Sequence, residues 1–328
     1  VFDFFETKDI SSRYMSAHFK YLFGPVASRR FGLSLGVDLL PQKVCSFDCV
    51  FCEVGRTLHR TIERKEYVPT REVIKELRKW KALKIPADVI TVAGSGEPTL
   101  HIGFGEIIDE INSWQSYPSL LLTNSSLMFL PEVRKEALKA KIVKASLSAF
   151  DQQSFNAICR PHPELVFTKI LEGLHSFRNE FKGKLWLEVF IVPGINDATD
   201  AVKNIARLIK ALNPDKVQLN TAIRPAAESF VKAADGELLK KLATLFEPAA
   251  EVIGFFNFNK RDELEFYGNE KVSQEAIIKL IGRRPCSLEE IALALNAKKE
   301  TLAAILETLL ENKAIRQETR NNGTYYYI

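Results

Sequence analysis

The stretch SLGVDLLPQKVCSFDCVFC, residues 34–52, opens with an apolar run of strand length and closes with three cysteines, Cys45, Cys49 and Cys52. Reading outward, five more short apolar runs follow: DVITVAG (88–94), SLLLTN (119–124), KASLSAF (144–150), LWLEVFIV (185–192) and KVQLNTAI (216–223). Between them lie segments with apolar residues at helical spacing, among them TREVIKELRKWKAL (70–83), PEVRKEALKA (131–140), FTKILEGLHSFRNEF (167–181) and DAVKNIARLIKAL (200–212). Such alternation predicts parallel strands joined by crossover helices. The expected fold class is α/β, a partial (β/α)6 TIM-like barrel with a small C-terminal winged-helix domain. A doubly wound open sheet is the alternative topology. A further run, AEVIGFF (250–256), is expected to add an edge strand, and Thr70 and Asp197 are expected to cap helices.

Beyond Gly268 the texture changes to three short helical segments, VSQEAIIKLIGRR, SLEEIALALN and KETLAAILETLLENK, and a hairpin pattern around Asn322-Gly323. Helix, helix, helix and β-wing is the order of a winged helix. The third segment carries Glu300, Glu307 and Glu311, which would repel phosphates, so docking of a protein or substrate is favoured over reading duplex DNA. The expected organisation is an N-terminal extension (1–19), a barrel domain (20–268) and a winged-helix-like domain (269–328). Residues Val1–Tyr14 show neither periodicity nor motif, and the Met at 15 leaves open whether 1–14 are native.

With 328 residues, 46% hydrophobic and 26% charged, the chain can bury a full core, which excludes disordered, collagenous and disulfide-scaffold classes. No apolar run approaches the ~18 to 20 residues of a membrane span, and no secretory layout opens the chain. The expectation is a cytoplasmic protein with no membrane partner, whose five cysteines stay reduced and ask for a metal or catalytic role. The net charge is +4. Residues 15–65 hold eight basic against four acidic side chains around the cysteines, either a solvated face or a rim that attracts an anionic substrate. Arg29-Arg30, before the first strand, either reach an anionic substrate or simply sit at the barrel rim.

Three thiolates on one short loop suit a soft metal centre. Structural zinc wants four protein ligands, and His59 is the nearest histidine, at no familiar spacing. An iron-sulfur cubane held by three thiolates would leave one iron open to a ligand. Fortuitous thiols and zinc remain the other readings. Cys159 and Cys286 stand alone and read as ordinary buried thiols, and His101, His162 and His175 as structural residues.

With its CxxxCxxC spacing and Phe51 before the last cysteine, the loop resembles the signature of the radical S-adenosylmethionine superfamily. The resemblance implies a [4Fe-4S] cluster on Cys45, Cys49 and Cys52, and S-adenosylmethionine on the open iron. It implies reductive cleavage to a 5′-deoxyadenosyl radical that abstracts a substrate hydrogen, oxygen sensitivity, and an electron donor of flavodoxin or ferredoxin type. Gly94-Ser95-Gly96-Glu97-Pro98 resembles the family's glycine-rich turn for the cofactor's amino group. Phe51 is expected to act through packing. Strand parity nominates a cavity lining: Ser146 and Ser148; Trp186, Glu188 and Phe190; Gln218, Asn220 and Arg224. Resemblance places Thr123, Asn124, Ser146 and Ser148 near the ribose or methionine portion, though the family often has Asp where this chain has Ser148. It places Ile191 or Val192 against adenine.

The segments YLFGPVASRRFG, SAFDQQSFNAICRPHP, VPGINDA and QLNTAIRP are similar to a little-characterised group related to wyosine-tRNA-synthase-like proteins. True wyosine enzymes carry further N-terminal cysteines, and none precedes Cys45 here, so cofactor chemistry carries over more firmly than a tRNA substrate. Three functions follow: radical chemistry on a macromolecule, RNA or a peptide; the same chemistry on a small anionic metabolite; or an iron-sulfur redox sensor whose winged helix binds nucleic acid.

Overall fold

All six apolar runs become strands in a computed structural model, which describes residues 19–28, 31–41, 43–253, 272–295, 297–320 and 323–328. Leu22–Ser28 (β1) and Gly32–Val37 (β2) make an antiparallel hairpin, and Val44–Cys45 (β3) pairs in parallel with His59–Arg60 (β4). Then come Thr70–Ala82 (α1), Val89–Val92 (β5), Phe104–Ser113 (α2), Ser119–Thr123 (β6), Pro131–Ala137 (α3) and Ile142–Ser146 (β7). Gln152–Cys159 (α4), Phe167–Glu180 (α5), Lys184–Ile191 (β8), Thr199–Leu212 (α6), Lys216–Thr221 (β9), Gly236–Ala243 (α7) and Glu251–Val252 (β10) complete the first part. The main sheet runs β1-β2-β5-β6-β7-β8-β9-β10, parallel from β2 onward. Among the described residues β1 and β10 are its two edges, so the arc is the partial barrel expected from the alternation.

Parallel strands are covered on both faces and therefore read as continuous apolar runs. β5 is buried throughout. The helices turn one stripe to the sheet: Val73, Ile74, Leu77 and Trp80 in α1, and Val202, Ile205, Ile209 and Leu212 in α6. Neither expected cap acts as one. Helix α1 begins at Thr70 itself, because the Glu66 carboxylate already accepts from the Thr70 N–H and hydroxyl at 2.9 and 2.7 Å. Asp197 accepts from the Gly194 N–H at 2.9 Å and so closes a turn, leaving Ala198 at the helix entrance.

Strand β1 was not expected from the sequence, since Pro25 interrupts its apolar run; it is tolerated because β1 is an edge and its pairing shifts register between Phe23 and Val26. The run AEVIGFF contributes β10, with its last three residues outside the described residues. Also outside them lie residues 1–18, the 268/269 boundary, Arg29-Arg30 and Asn322.

The last part comprises Gln274–Ile281 (α8), Cys286–Ser287 (β11), Leu288–Leu295 (α9), Lys299–Glu311 (α10), Arg316–Arg320 (β12) and Gly323–Tyr327 (β13). Its strands pair in the order β11-β13-β12, and Ile277, Ile291, Leu302, Leu306 and Ile315 form a core separate from that of the barrel.

Candidate active site

Each parallel strand ends at the same rim, so the residues that follow them are gathered there. Asp38 follows β2, Gly94–Glu97 follow β5, Asn124 follows β6, Ser148 follows β7 and Asn196 follows β8. The cysteine loop lies across this rim and is fastened to it. Its Asp48 and Val50 N–H groups donate to carbonyls of Ile158, Cys159 and Arg160 at 3.1 Å, and the Val50 carbonyl accepts from the Glu228 N–H at 3.1 Å. Within the loop, Thr57 bonds the Asp48 carboxylate and the Phe47 carbonyl at 2.8 and 2.7 Å.

Below the loop is a cavity of about 310 Å³, within the ~300–1,000 Å³ range of small-molecule sites. Cys45, Cys49, Phe51 and Cys52 line it from the loop; Gly94, Ser95, Gly96, Glu97, Thr123, Asn124, Ser146, Ser148 and Glu188 line it from the strand ends. The sequence-derived set is thus brought together, with one exception. Asn220 lies behind the lining and donates to Glu188 at 3.4 Å. Of the other nominated positions, Gln218 bonds Glu251 at 3.3 Å, Trp186 stacks on Phe31 with centroids 4.7 Å apart, and Phe190 stacks on Phe51 at 4.1 Å. Ile191 and Val192 are buried away from this cavity.

Close approach explains two of the glycines. A Cβ on Gly96 would lie 1.6 Å from the Val44 carbonyl oxygen, so only glycine lets the turn after β5 rest against the backbone leading into Cys45. One on Gly94 would meet the Asp38 carboxyl at 2.3 Å. That carboxylate holds the turn, accepting from the Ser95 N–H at 3.1 Å and hydroxyl at 2.6 Å.

Glu97 is 2% exposed. Its Oε1 accepts from the Thr99 N–H and hydroxyl and the Thr123 hydroxyl at 3.2, 2.6 and 2.7 Å, and its Oε2 from the Asn124 N–H at 2.6 Å. A carboxylate offers about four acceptor sites, and the single donor on Oε2 leaves that oxygen able to take one more. Burial raises the Glu97 pKa, against which these hydrogen bonds work.

Polar side chains reach Cys52 and Cys45 directly. Lys43 Nζ donates to Cys52 Sγ at 3.2 Å, and Asn124 Nδ2 to Cys45 Sγ at 3.6 Å. Burial pushes Cys45 and Cys52 up, and a hydrogen bond with the Cys159 thiol, together with burial, does so for Cys49. Buried thiols become ligands when a cationic centre supplies the compensating charge. Among the described residues no three His, Cys, Asp or Glu side chains are gathered for a single metal ion. A larger multi-iron centre fits three soft donors around one cavity, beside a ligand pocket, better than zinc does.

Sequence reasoning passed over several members of the site. Lys144 lines the cavity, and its ammonium pairs with Glu188 at 2.7 Å, both nearly buried. Its signal was available, since it shares strand parity with Ser146 and Ser148. Cys159, read as isolated, comes beside Cys49 from the end of α4. Asn196 is fully buried and ties β7 to β8 through the Ser148 and Phe190 carbonyls, both at 2.9 Å. His101 is fixed in its loop by the Val68 carbonyl at 2.7 Å and the Gly103 N–H at 3.0 Å. A wider surface cavity of about 620 Å³ is lined by Asp48, Arg56, Arg60, Arg160 and His162.

Comparison with known proteins agrees with this geometry. A UPF0026 protein of Methanocaldococcus jannaschii is 35% identical over 311 residues, covering 93% of this chain and 95% of that protein. A Brachyspira hyodysenteriae protein named GTPase Obg is 34% identical over 311 residues; these are 94% of this chain but 45% of that protein, so the chain spans less than half of it. The solved structure of TYW1 with a lysine-pyruvate adduct bound has the same fold, with a TM-score of 0.51 at 17% identity over 76% of this chain and 82% of that one. A family model described as the Radical SAM superfamily matches residues 39–209, the span that carries both the cysteine loop and the turn ending at Glu97. The chain therefore belongs to the radical SAM superfamily of enzymes, whose cofactors are a [4Fe-4S] cluster and S-adenosylmethionine.

Proposed function

We propose that Cys45, Cys49 and Cys52 hold the cluster and that the Gly94–Glu97 turn receives the amino end of S-adenosylmethionine. The observation that carries this reading is the convergence of three thiols and the Glu97 carboxylate on one cavity. When bound, the pair supplies a 5′-deoxyadenosyl radical for hydrogen abstraction. The chain's own residues orient and shield. Glu97 Oε2 offers an acceptor to an ammonium, Asn124 holds both Glu97 and Cys45, and Phe51 packs on Phe190 to wall the pocket. Ser146 and Ser148 stand at the strand end nearest the lower lining, and Asn220 steadies Glu188.

The substrate proposed is a macromolecule, RNA or a peptide, docked with help from the winged-helix-like C-terminal part and the basic surface around Arg56, Arg60 and Arg160. An acidic electron donor of flavodoxin or ferredoxin type is the proposed redox partner. A second reading, a small anionic metabolite, is favoured by the Lys144 ammonium inside the cavity.

The test is anaerobic reconstitution with iron and sulfide, reduction, addition of S-adenosylmethionine and assay for 5′-deoxyadenosine. Wild type should form it and Cys49→Ala should not. Equal iron content and cleavage in Cys49→Ala would sink the assignment of the ligands.

A further inference from the structure

We propose that the C-terminal part, residues 272–328, is a working component of the cofactor site, coupled to both of its loops through two buried charged links. The inference rests on the reading of those loops given above and assigns Arg283, Arg224 and Glu290 as positioning residues.

The first link runs to the turn that ends at Glu97. Arg283 Nε lies 3.4 Å from Asp38 Oδ2, with its guanidinium over the Phe23 ring at 4.8 Å. Asp38 is the same carboxylate that holds Ser95 by its N–H and hydroxyl. A charge from the C-terminal part thus bears on the group that fixes the turn.

The second link runs to the cysteine loop. Glu53, which follows Cys52 directly, accepts from Arg224 at 3.0 Å, and the other side of the Arg224 guanidinium pairs with Glu290. The Arg224 and Glu290 side chains are 3% and 8% exposed. Glu290 is itself held in place: its Oε2 accepts from the Ser287 N–H at 3.1 Å while its own N–H donates to Ser287 Oγ at 3.3 Å. This reciprocal cap leaves Oε1 aimed at the barrel.

Placement makes the links more than ordinary interface contacts. Asp38 follows β2 and Arg224 follows β9, strands one place in from opposite edges of the arc among the described residues. Arg320 donates to the Ala222 carbonyl at 3.2 Å, and Val26 of β1 packs against the C-terminal core. The C-terminal part therefore touches both ends of the arc formed by the described strands. Its removal would uncover Arg224, which is 3% exposed, and take away the Glu290 carboxylate that pairs with it. A tether for a loosely attached docking module would not be built this way. Because coupling is reciprocal, whatever orders the two loops must tighten the docking, and whatever loosens the docking must weaken ligand binding at the loops.

Hydrogen exchange on the full chain without cofactor tests the links. Glu290→Gln should speed exchange across residues 49–57 about fivefold or more while α1 is unchanged. Lys299→Gln, which removes an exposed pair with Glu289 on the same part, should change neither. Glu53→Gln, lying on the barrel side, should loosen residues 288–295 in return. In reconstituted wild type, S-adenosylmethionine should slow exchange over 288–295 and perturb the electron paramagnetic resonance signal of the reduced cluster. In Glu290→Gln the concentration needed for that perturbation should rise about fivefold or more. Unchanged exchange over 49–57 in Glu290→Gln and over 288–295 in Glu53→Gln overturns the proposal, even where a substitution unfolds its own part. A wild type that takes up neither iron nor S-adenosylmethionine overturns the functional reading instead, and the cofactor-free exchange still decides the coupling.

Discussion

Glu97 shows how a single side chain can serve a site and a fold together. Four hydrogen bonds from Thr99, Thr123 and Asn124 make it the joint between the ends of β5 and β6. In Glu97→Gln the amide would keep one carbonyl oxygen for the Thr99 and Thr123 hydroxyls but would set an N–H against the Asn124 N–H. The expected cost is about 1–3 kcal/mol for the donor left unsatisfied. Denaturant unfolding of the cofactor-free protein should register it as a lower midpoint at unchanged slope; an unaltered midpoint would show that Glu97 has no structural duty. Individual residues were legible where chemistry is local, as with the three cysteines and the glycine-rich turn. They were illegible where parity alone had to speak for a charged side chain among apolar neighbours, as with Lys144. Cys159 could not be placed because its neighbour Cys49 is far along the chain.

At the scale of elements, the turn after β5 and the short strand β3 meet without any side chain between them. Gly96→Ala would drive a methyl into the Val44 carbonyl oxygen, and because the obstacle is backbone the loop must move as a whole. The expected result is a fold that persists with its cysteine loop displaced: near-native helical circular dichroism, but iron uptake reduced at least severalfold. Full iron uptake by Gly96→Ala would refute the close packing. Elements were read well where burial on both faces imposes an apolar run, which is why the six parallel strands from β2 to β9 were anticipated. Strand β1 escaped because Pro25 is penalised in a sheet interior and permitted only at an edge, a distinction that requires knowing the strand order.

For the molecule as a whole, the buried contact between Arg224 and Glu290 gives stability a marked dependence on acid. Burial alone would raise the Glu290 pKa, yet Arg224 and Arg284, with the Ser287 N–H, hold it at about 2, against an ordinary 4.5. A carboxylate depressed on folding stabilises at every pH above its unfolded value and loses that contribution as pH falls from 4.5 towards 2. The amount is on the order of 3 kcal/mol. Wild type should therefore lose more unfolding free energy than Glu290→Gln between pH 5 and pH 2.5, and parallel profiles would contradict the pairing. The two partners lie 66 residues apart, so no local pattern announced the contact. The same separation governs the order of events during synthesis. Every parallel pair in the arc is joined by a crossover, and the cysteine loop is pinned by Ile158–Arg160 and by Glu228, residues made long after it. Contacts of such long sequence separation form late and slowly. The three thiols therefore emerge from the ribosome before the frame that arranges them exists. On the proposed ligand assignment, a cluster delivered early would meet a floppy peptide, and maturation would wait for the last strands to close.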